Sequence, residues 1–137
     1  MRHRDAGSAS LELVLLTPLL LLLLLFVVLG GRYAQARADV DAAARDAARA
    51  GSISREPDSA KTNALAAARA RLTEGGVTCR TLDVVVDTTD FRAGGSVAAT
   101  VTCTIDLSDL TGLKVPTSRT ISATFSEPID TYRRTGE

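Results

Sequence analysis

The chain is poor in the residues from which most catalytic and metal centres are built. Its 137 residues include one His, two Cys and no Trp, and only 4% are aromatic. A zinc centre takes four side-chain ligands, or three with a water, and a His-dependent hydrolase needs a His near its nucleophile. No GxGxxG or GxxxxGK pattern for phosphate binding occurs either. We therefore predict a protein that is not an enzyme, with no catalytic residues, no metal site and no cofactor.

The chain also lacks net charge, because 16 basic side chains balance 16 acidic ones. This balance argues against nucleic-acid binding through general basicity, and a charged fraction of 23% is too ordinary for a disordered acidic or basic tail. Residues 1–31 hold two basic and two acidic side chains, 32–76 hold eight and six, and 77–137 hold six and eight. The net charge of zero is therefore the sum of a neutral segment, a slightly basic segment and a slightly acidic segment.

One long apolar run stands out against this background. The 19 residues from Leu13 to Gly31 carry no charge, and 11 of the 17 from Leu13 to Leu29 are Leu. These leucines favour membrane insertion by roughly 5 kcal/mol, and as a helix the run covers about 28 Å, close to the hydrocarbon thickness of a bilayer. We predict a transmembrane helix within residues 8–31. It should bend modestly near Pro18, which has no N–H to donate to the carbonyl of Val14.

A cleaved secretory signal is the competing interpretation of this run. Arg2 and Arg4 form a basic start, and Ala34-Gln35-Ala36 resembles a small-x-small cleavage site. The run is, however, longer than a typical signal core, and the helical pattern continues through the cleavage site. Arginines flank both ends of the run, so the short N-terminal tail and the cysteine pattern described below decide the orientation. We predict a cytoplasmic N terminus and an extracytoplasmic C-terminal domain.

Residues 32–51 continue the helix outward with an alanine-rich sequence. Small or apolar residues recur at steps of three and four and form one narrow helix-packing stripe: Tyr33, Ala36, Val40, Ala43, Ala47 and Ala50. The stripe fits packing within its own domain or against another copy of the helix, and the sequence leaves both open. Residues 52–76 hold a linker around Arg55-Glu56-Pro57-Asp58 and a second helix from about Ser59 to Thr73, which Gly75-Gly76 ends.

Residues 77–137 have the composition and period of a small antiparallel β domain. Residues 96–107 alternate most clearly, with one apolar face made of Val97, Ala99, Val101, Cys103, Ile105 and Leu107. Val77–Asp87 and Thr117–Ser126 are predicted as neighbouring strands, and 110–115 as a further short element. The fold class is therefore α+β, with a long N-terminal transmembrane helix that continues into a soluble helix, a second shorter helix and an antiparallel sheet of three or four strands.

The two cysteines sharpen the prediction for the sheet. A hairpin that turns over residues 88–95 is centred on residue 91, and Cys79 and Cys103 each lie 12 residues from that centre. Facing positions on antiparallel strands bring two Cβ atoms near the separation that a disulfide needs, which would add roughly 3 kcal/mol and indicates an oxidising compartment. Two buried reduced thiols are the alternative. In this register the charged Asp83 shares the core face with the cysteines, and the apolar Leu82 lies on the opposite face. A β-bulge near Thr81 would return Leu82 to the core.

The acidic residues of the β domain do not form a recognisable site. Asp83, Asp87 and Asp90 make one group, and Asp106 with Asp109 another, but the central Gly and the closing Glu of a calcium loop are both absent. We interpret them as solvated turn residues. His3 lies in the short N-terminal tail, and Arg133 with Arg134 is interpreted as part of a solvated tail.

An acidic residue, Glu12, stands directly before the apolar run. A carboxylate carried to the bilayer centre costs up to about 3 kcal/mol, so its place at the membrane edge needs an explanation. The simplest is that Glu12 lies in the headgroup region in the first turn of the helix, where Ser10 caps and the helix dipole favours a negative charge.

The order of residues around Glu12 also resembles a family. Gly7 precedes Glu12 by five residues, and then come Leu13-Val14-Leu15-Leu16-Thr17-Pro18, the leucine tract, Gly31-Arg32-Tyr33, and the alanine- and arginine-rich stretch that ends at Ala50-Gly51. Residues 5 to 51 thereby resemble the TadE-like proteins, minor pilins or pseudopilins of tight-adherence (Tad) type IV pili. The chain after Gly51 matches no family pattern that we can name.

The resemblance implies a pilin-like, membrane-held precursor. Its leader, residues 1–7, would be removed by a prepilin peptidase between Gly7 and Ser8, and Glu12 would pair with the N-terminal amine of an adjacent subunit during assembly. The implied partners are the membrane, other pilin subunits and the pilus assembly platform, with no nucleic acid. A single-pass anchored binding module that never polymerises, and that presents its sheet to an extracytoplasmic partner, is the alternative function.

Overall fold

The computed structural model of the chain describes residues 6–106 and 118–132, with side chains from Glu12 onward. The described elements are two helices followed by three strands: α1 (Ala6–Ser52), α2 (Pro57–Glu74), β1 (Thr81–Asp87), β2 (Ser96–Asp106) and β3 (Ser118–Pro128). The strands form one antiparallel sheet in the order β1-β2-β3. The chain divides into two compact units, Met1–Ala34 and Gln35–Glu137. The predicted α+β class, with a long apolar N-terminal helix, is confirmed.

The second helix begins earlier than predicted. Glu56, Pro57 and Asp58, predicted as linker, contain its N-cap and first turn. Pro57 is suited to the first helical position because its fixed φ is helical and its missing N–H would have no partner there. Ser59, predicted as the start, instead lies inside the helix, where its hydroxyl accepts a hydrogen bond from the Glu56 backbone N–H at 3.3 Å. The helix ends at Glu74, close to the predicted Thr73.

The core of the second unit is built largely from small side chains. Helix α1 contributes its buried Val40, Ala43, Ala44, Ala47 and Ala48, and α2 contributes Ala64, Ala68 and Leu72. Because these side chains are short, backbones come close together: a Cβ added to Gly51 would lie 3.0 Å from Cγ1 of Val97 on β2. Close packing of this kind leaves little room for larger residues.

The second strand confirms the predicted alternation. Val97, Ala99, Val101, Cys103 and Ile105 are all buried in the core, whereas Leu107 lies outside the described residues, as do the predicted element at 110–115 and Arg133–Arg134. On the opposite face, hydroxyl groups of β2 and β3 pair across the strands: Thr100 with Thr124 at 2.9 Å, Thr102 with Ser122 at 3.0 Å, and Thr104 with Thr120 at 3.2 Å. The outer face of the sheet is therefore polar and internally hydrogen-bonded.

The predicted register of β1 is wrong by three residues. Leu82, not Cys79, is the partner of Cys103, and β1 begins at Thr81, not Val77. This register turns Leu82, Val84 and Val86 toward the core and leaves Val85 57% exposed. The hydrophobic pattern of β1 thus decides which face is buried, as expected where one face of a sheet is covered.

The disulfide is nevertheless present. Cys79 lies just before β1 and bonds to Cys103, with 5.3 Å between their Cα atoms. At this point Arg80 donates its N–H to the carbonyl of Thr104 at 2.7 Å, although the register partner of Thr104 is Thr81. The hydrogen bonding therefore departs by one residue from the register of β1 and β2 at Arg80, next to Thr81, where a β-bulge was expected. Cys79 lies beyond this point and outside β1, so its bond to Cys103 does not follow the strand register.

A buried carboxylate of α1 lies beside the C-terminal end of α2. Asp39 of α1 is 8% exposed, its Oδ1 lies 3.7 Å from Nη2 of Arg71 on α2, and its Oδ2 has no hydrogen-bond partner within the described structure. A Cβ added to Gly75 would approach the Asp39 carboxyl to 2.7–2.9 Å. Only glycine at position 75 leaves space for this carboxylate at the end of α2.

Removal of the disulfide should lower the stability of the domain. The bridge closes a loop with a sequence separation of 24, for which the chain-entropy relation gives about 3 kcal/mol. We expect a reductant to lower the thermal midpoint of the full-length protein in detergent, measured by circular dichroism, by at least about 5 °C. The double variant Cys79→Ala, Cys103→Ala is the control, since its midpoint should not respond to reductant. Equal midpoints for the oxidised and reduced wild-type protein would contradict the expected stabilisation.

Candidate functional site

The first unit exposes an apolar helix surface that no protein covers within the described structure. Every residue from Leu13 to Val28 on α1 is exposed, with leucines between 43% and 70% and Phe26 at 77%. A helix that is hydrophobic on all sides and uncovered fits lipid as its surroundings. Within the described residues, α1 is the one helix that is both long enough and apolar enough to cross a bilayer. The structure thus supports a single-pass membrane anchor near the N terminus.

The polar residues inside the anchor are accommodated locally. The Thr17 hydroxyl donates to the carbonyl of Leu13 at 2.7 Å, so it satisfies its own donor within the helix. Pro18 lies inside α1, and helical structure continues on both sides of it. The bend near Pro18 stays a prediction.

The residues of the predicted processing site lie in the first turns of α1. Helix α1 begins at Ala6, so Gly7, Ser8 and Ser10 all have helical backbone. Ser10 is therefore not the N-cap that we expected, because the helix starts four residues before it. Glu12 is exposed at the beginning of the apolar run, two turns from the helix start. The structure places Gly7, Ser8 and Glu12 on one continuous helical segment at the edge of the anchor.

The residues of the predicted helix-packing stripe lie in different environments. Val40, Ala43 and Ala47 are completely buried in the core of their own domain, and Ala36 and Ala50 are partly buried. Tyr33 is 39% exposed and belongs to the first unit. Because Ala44 and Ala48 are buried as well, the packed face of α1 is broader than a single stripe. The central part of the stripe is thus occupied by contacts within the chain, and a role in contacts with another copy stays a prediction.

One contact of the extramembrane helix was not predicted. The Arg45 guanidinium lies over the Phe125 ring of β3, with 5.8 Å between its carbon and the ring centroid. Arg37, Asp41 and Arg45 are spaced by four residues, and this spacing by itself indicates only a charged face of the helix. The alternation of Ile121, Ala123 and Phe125 along β3 indicates that the Phe125 side chain points toward the helices. Which helix residue it contacts depends on how α1 crosses the sheet, and the sequence pattern does not show this.

The acidic residues of the β domain lie at turns and edges, mostly with partners. The side-chain hydroxyl and then the backbone N–H of Thr89 donate to Asp87, and these hydrogen bonds lower the pKa of that carboxyl. These hydrogen bonds therefore contribute fully to folding stability at pH values above the ordinary pKa of an aspartate. Their contribution is lost as the pH falls through the lowered pKa of Asp87. Arg92 binds Asp90 at 2.6 Å, and Arg80 lies 3.8 Å from Asp106. Asp83 is exposed, and Asp109 lies outside the described residues.

The described part of the chain holds no cluster of three or more His, Cys, Asp or Glu side chains that could bind a metal ion. Two shallow surface grooves lie in this part of the chain. One, of about 420 Å³, lies between the end of α1 and the end of β3 and includes Arg49, Glu127 and Tyr132. The other, of about 400 Å³, lies beside Cys79 and Leu82.

One family comparison concerns the N-terminal helix. Residues 7–49 match the family model of TadE-like proteins. The matched segment begins at the predicted cleavage position, includes Glu12 and the whole leucine run, and ends in the alanine-rich part of α1. The match covers 43 of the 137 residues, so it shows that this segment of α1 is similar to the TadE-like family, a pilus-associated structural family. No curated protein and no solved structure matches the chain.

Charges placed in the middle of the TadE-like apolar run should release the protein from the membrane. Leu21 and Leu22 are 56% and 65% exposed, so arginines there would fit the helix sterically. Each arginine opposes insertion by about 2.5–3.5 kcal/mol and removes a leucine contribution of about 0.5 kcal/mol. We expect the double variant Leu21→Arg, Leu22→Arg to move from the carbonate-resistant membrane fraction to the soluble or degraded fraction.

The variant Leu21→Val, Leu22→Val is the matched control and should remain in the membrane. A double arginine variant that resists carbonate extraction as the wild type does would contradict the assignment of the anchor. If the wild type itself were soluble and began after Ala36, the cleaved-signal interpretation would replace it.

Proposed function

We propose that the protein is a membrane-anchored minor pilin or pseudopilin that takes part in the assembly of a Tad-type pilus. The observation that carries this proposal is the coincidence of the TadE-like match over residues 7–49 with an uncovered apolar helix that has Glu12 at its edge. The role is structural: the helix holds the subunit in the membrane and enters the filament, and the domain of α2 and the sheet faces outward. The N terminus lies in the cytoplasm before processing, and the C-terminal domain is extracytoplasmic.

The outward orientation is supported by the disulfide of the β domain. Cys79 and Cys103 are bonded, and structural disulfides persist in oxidising compartments outside the cytoplasm. The arginines at both ends of the apolar run give little bias by themselves. The bridge therefore carries most of the argument for an extracytoplasmic domain.

Glu12 is proposed to be the residue that selects a neighbouring subunit. In the isolated chain it is exposed at the start of the apolar run. When helices pack together in a filament, a carboxylate among leucines is strongly disfavoured unless a cation neutralises it. Removal of residues 1–7 would create an α-amine on Ser8, one turn from Glu12 in its own chain and available to the Glu12 of an adjacent subunit. Processing between Gly7 and Ser8 would thus supply the cation that Glu12 needs.

Replacement of Glu12 should impair assembly without loss of the anchor. Removal of one member of a buried ion pair costs about 3 kcal/mol or more, roughly a hundredfold in an association constant. We expect Glu12→Ala to remain in the membrane fraction but to be depleted from sheared filaments and from co-purification with other pilins. Glu12→Asp should retain much of the assembly, and Asp46→Ala, at an exposed position of α1 outside the anchor, is the matched control.

The same variants separate the proposed role from the alternative. A single-pass binding module that never polymerises would be absent from the sheared fraction of wild-type cells, and Glu12→Ala would change neither its amount nor its partners. That result would replace the pilin role and leave the anchor intact.

The mature protein should begin at Ser8. Intact-mass analysis of the protein extracted from membranes should show the loss of residues 1–7, since the peptidase would cut after Gly7. Gly7→Val should prevent the loss, because a branched side chain replaces the hydrogen of glycine at the scissile position. Ala9→Val, the control on the other side of the bond, should still be processed. A wild-type mass that begins at Met1 would contradict the cleavage while the membrane anchor stands.

A further inference from the structure

The second unit has two opposite ends. One, which we call the distal end, carries the end of α1, the start of α2 and the end of β3, and there Gly51 lies beside Val97 of β2. The other, the proximal end, carries the end of α2 and the start of β1, and there Gly75 lies against Asp39 near the start of the unit. Helix α2 connects the two ends with 18 residues, so they lie about 27 Å apart.

The distal end exposes a tyrosine ring. Tyr132 is 96% exposed, and Ile53, which is 59% exposed, lies with it on the groove of about 420 Å³. The Tyr132 backbone N–H donates to the Asp130 carboxylate at 3.0 Å, so a hydrogen-bonded turn carries the ring. Tyrosine is frequent in interfaces because it joins a large apolar area to a polar tip. The ring is thus available for a contact with another molecule.

The proximal end carries the groove of about 400 Å³. The groove lies between the end of α2 and the start of β1, and its apolar wall includes Val77 and Leu82, which are partly buried against the core. A Cβ added to Gly76, which also lines the groove, would meet no atom within 4 Å, so the groove is open at this point. The exposed Thr78 offers a hydroxyl group beside the apolar wall. The groove therefore suits a side chain that has an apolar body and a polar tip.

The charges that line the two grooves are complementary. Glu127 and Asp130 line the distal groove together with one base, Arg49. The exposed Arg69 lines the proximal groove, and no acidic side chain of the described residues does so. Complementary charges of this kind orient two surfaces as they meet, and they contribute less to the strength of the contact. The charges therefore favour contact between unlike ends over contact between identical ends.

We propose that the distal end of one copy of this chain docks on the proximal end of a second copy of the same orientation, with Tyr132 in the groove beside Val77 and Leu82. The inference rests on the proposed pilin function. Arg69 of the second copy then lies near Asp130 of the first. The contact joins two different surfaces, so its repetition generates an open filament when each copy is also rotated about the filament axis.

This arrangement keeps the direction of every chain. Within the second unit, α1 runs from Asp39 at the proximal end to Gly51 at the distal end. A displacement from end to end therefore moves one copy along this part of α1, by about 27 Å or more, and leaves both copies parallel. Two copies that are both anchored in the membrane lie at the same height and cannot make the contact. It forms only when one copy has moved outward into the filament.

The end-to-end contact does not compete with the proposed pairing of Glu12. An amine on Ser8 that pairs with the Glu12 of an adjacent subunit requires a stagger of four residues, or about 6 Å between the two helices. This stagger is much smaller than the length of the second unit. The two contacts therefore join different pairs of copies in the same filament.

Cross-linking between the two ends tests the contact. Thr131→Cys places a thiol next to Tyr132, and Thr73→Cys places one on the proximal groove; both positions are exposed. The native cysteines are bonded to each other and do not react with maleimides. In cells that make both single variants, a short bismaleimide should give a 131–73 dimer in the sheared filament fraction, identified by peptide mapping. Thr62→Cys, exposed near the distal start of α2, is the matched control for Thr73→Cys and should give at least about ten times less dimer.

The membrane-held state separates this inference from the pilin function. Glu12→Ala is expected to keep the chain in the membrane, so the 131–73 dimer should disappear in that background. A dimer that forms equally in the membrane fraction would overturn the inference. If the wild-type chain is present in sheared filaments but gives no 131–73 dimer, or if Thr73→Cys is linked to a different pilin, the inference is wrong and the pilin function stands. If the wild-type chain is absent from sheared filaments, both are wrong.

Replacement of the ring tests Tyr132 itself. Truncation of a buried interface tyrosine weakens association tenfold or more, so Tyr132→Ala should lower the yield of the 131–73 dimer about tenfold. Tyr132→Phe should retain most of the yield, because the ring still fills the groove. Val85→Ala removes another exposed apolar side chain of the unit and should leave the yield unchanged. An unchanged yield for Tyr132→Ala would mean that another group occupies the groove, and the inference would be wrong.

Discussion

Helix α1 has to satisfy two different surroundings along one continuous helix, and the rest of the structure depends on this constraint. From Leu13 to Val28 its side chains have no protein cover in the described structure and need lipid, whereas from Asp39 to Gly51 its small residues pack against protein. Leucine suits the first requirement because it contributes large apolar area in every direction. Alanine suits the second because it allows the helix to approach the sheet closely. The change from one residue type to the other is the principal feature of the sequence.

The small core has consequences for the domain around it. Alanines bury little area each, so the hydrophobic contribution per residue is modest. The disulfide between Cys79 and Cys103 compensates by restricting the unfolded chain, and it also ties the approach to β1 to the centre of the core. Close packing brings Asp39 against Gly75, and the buried carboxylate then requires the nearby Arg71. A domain of this kind relies on covalent and polar links at the sites where larger side chains do not fit.

The parts of the fold that were predicted correctly are those with a strong local signal. The apolar run, the alanine-rich continuation of α1 and the alternation of β2 each repeat one pattern over ten or more residues. The β1 register was wrong because it was inferred from symmetry about residue 91, whereas the pairing of Asp87 with Ala98 centres the hairpin between residues 92 and 93. The start of α2 was predicted too late because the composition of Glu56-Pro57-Asp58 is typical of a turn, whereas these residues form the N-cap and first turn of the helix. Ser10 was taken as a cap, although α1 begins at Ala6.

The sequence by itself determined the long apolar helix, the α+β class and the buried face of β2, and it favoured a bond between the two cysteines. These features follow from hydrophobic period, length and the number of cysteines, which are properties of neighbouring residues. It also carried the TadE-like pattern over residues 7–49. Only the tertiary structure decided the register of β1, the contact of Arg45 with Phe125, the burial of Asp39 beside Gly75, and the position of β3 at an edge of the sheet. Each of these joins residues that are far apart in the chain, and the choice among such contacts depends on how whole elements pack together.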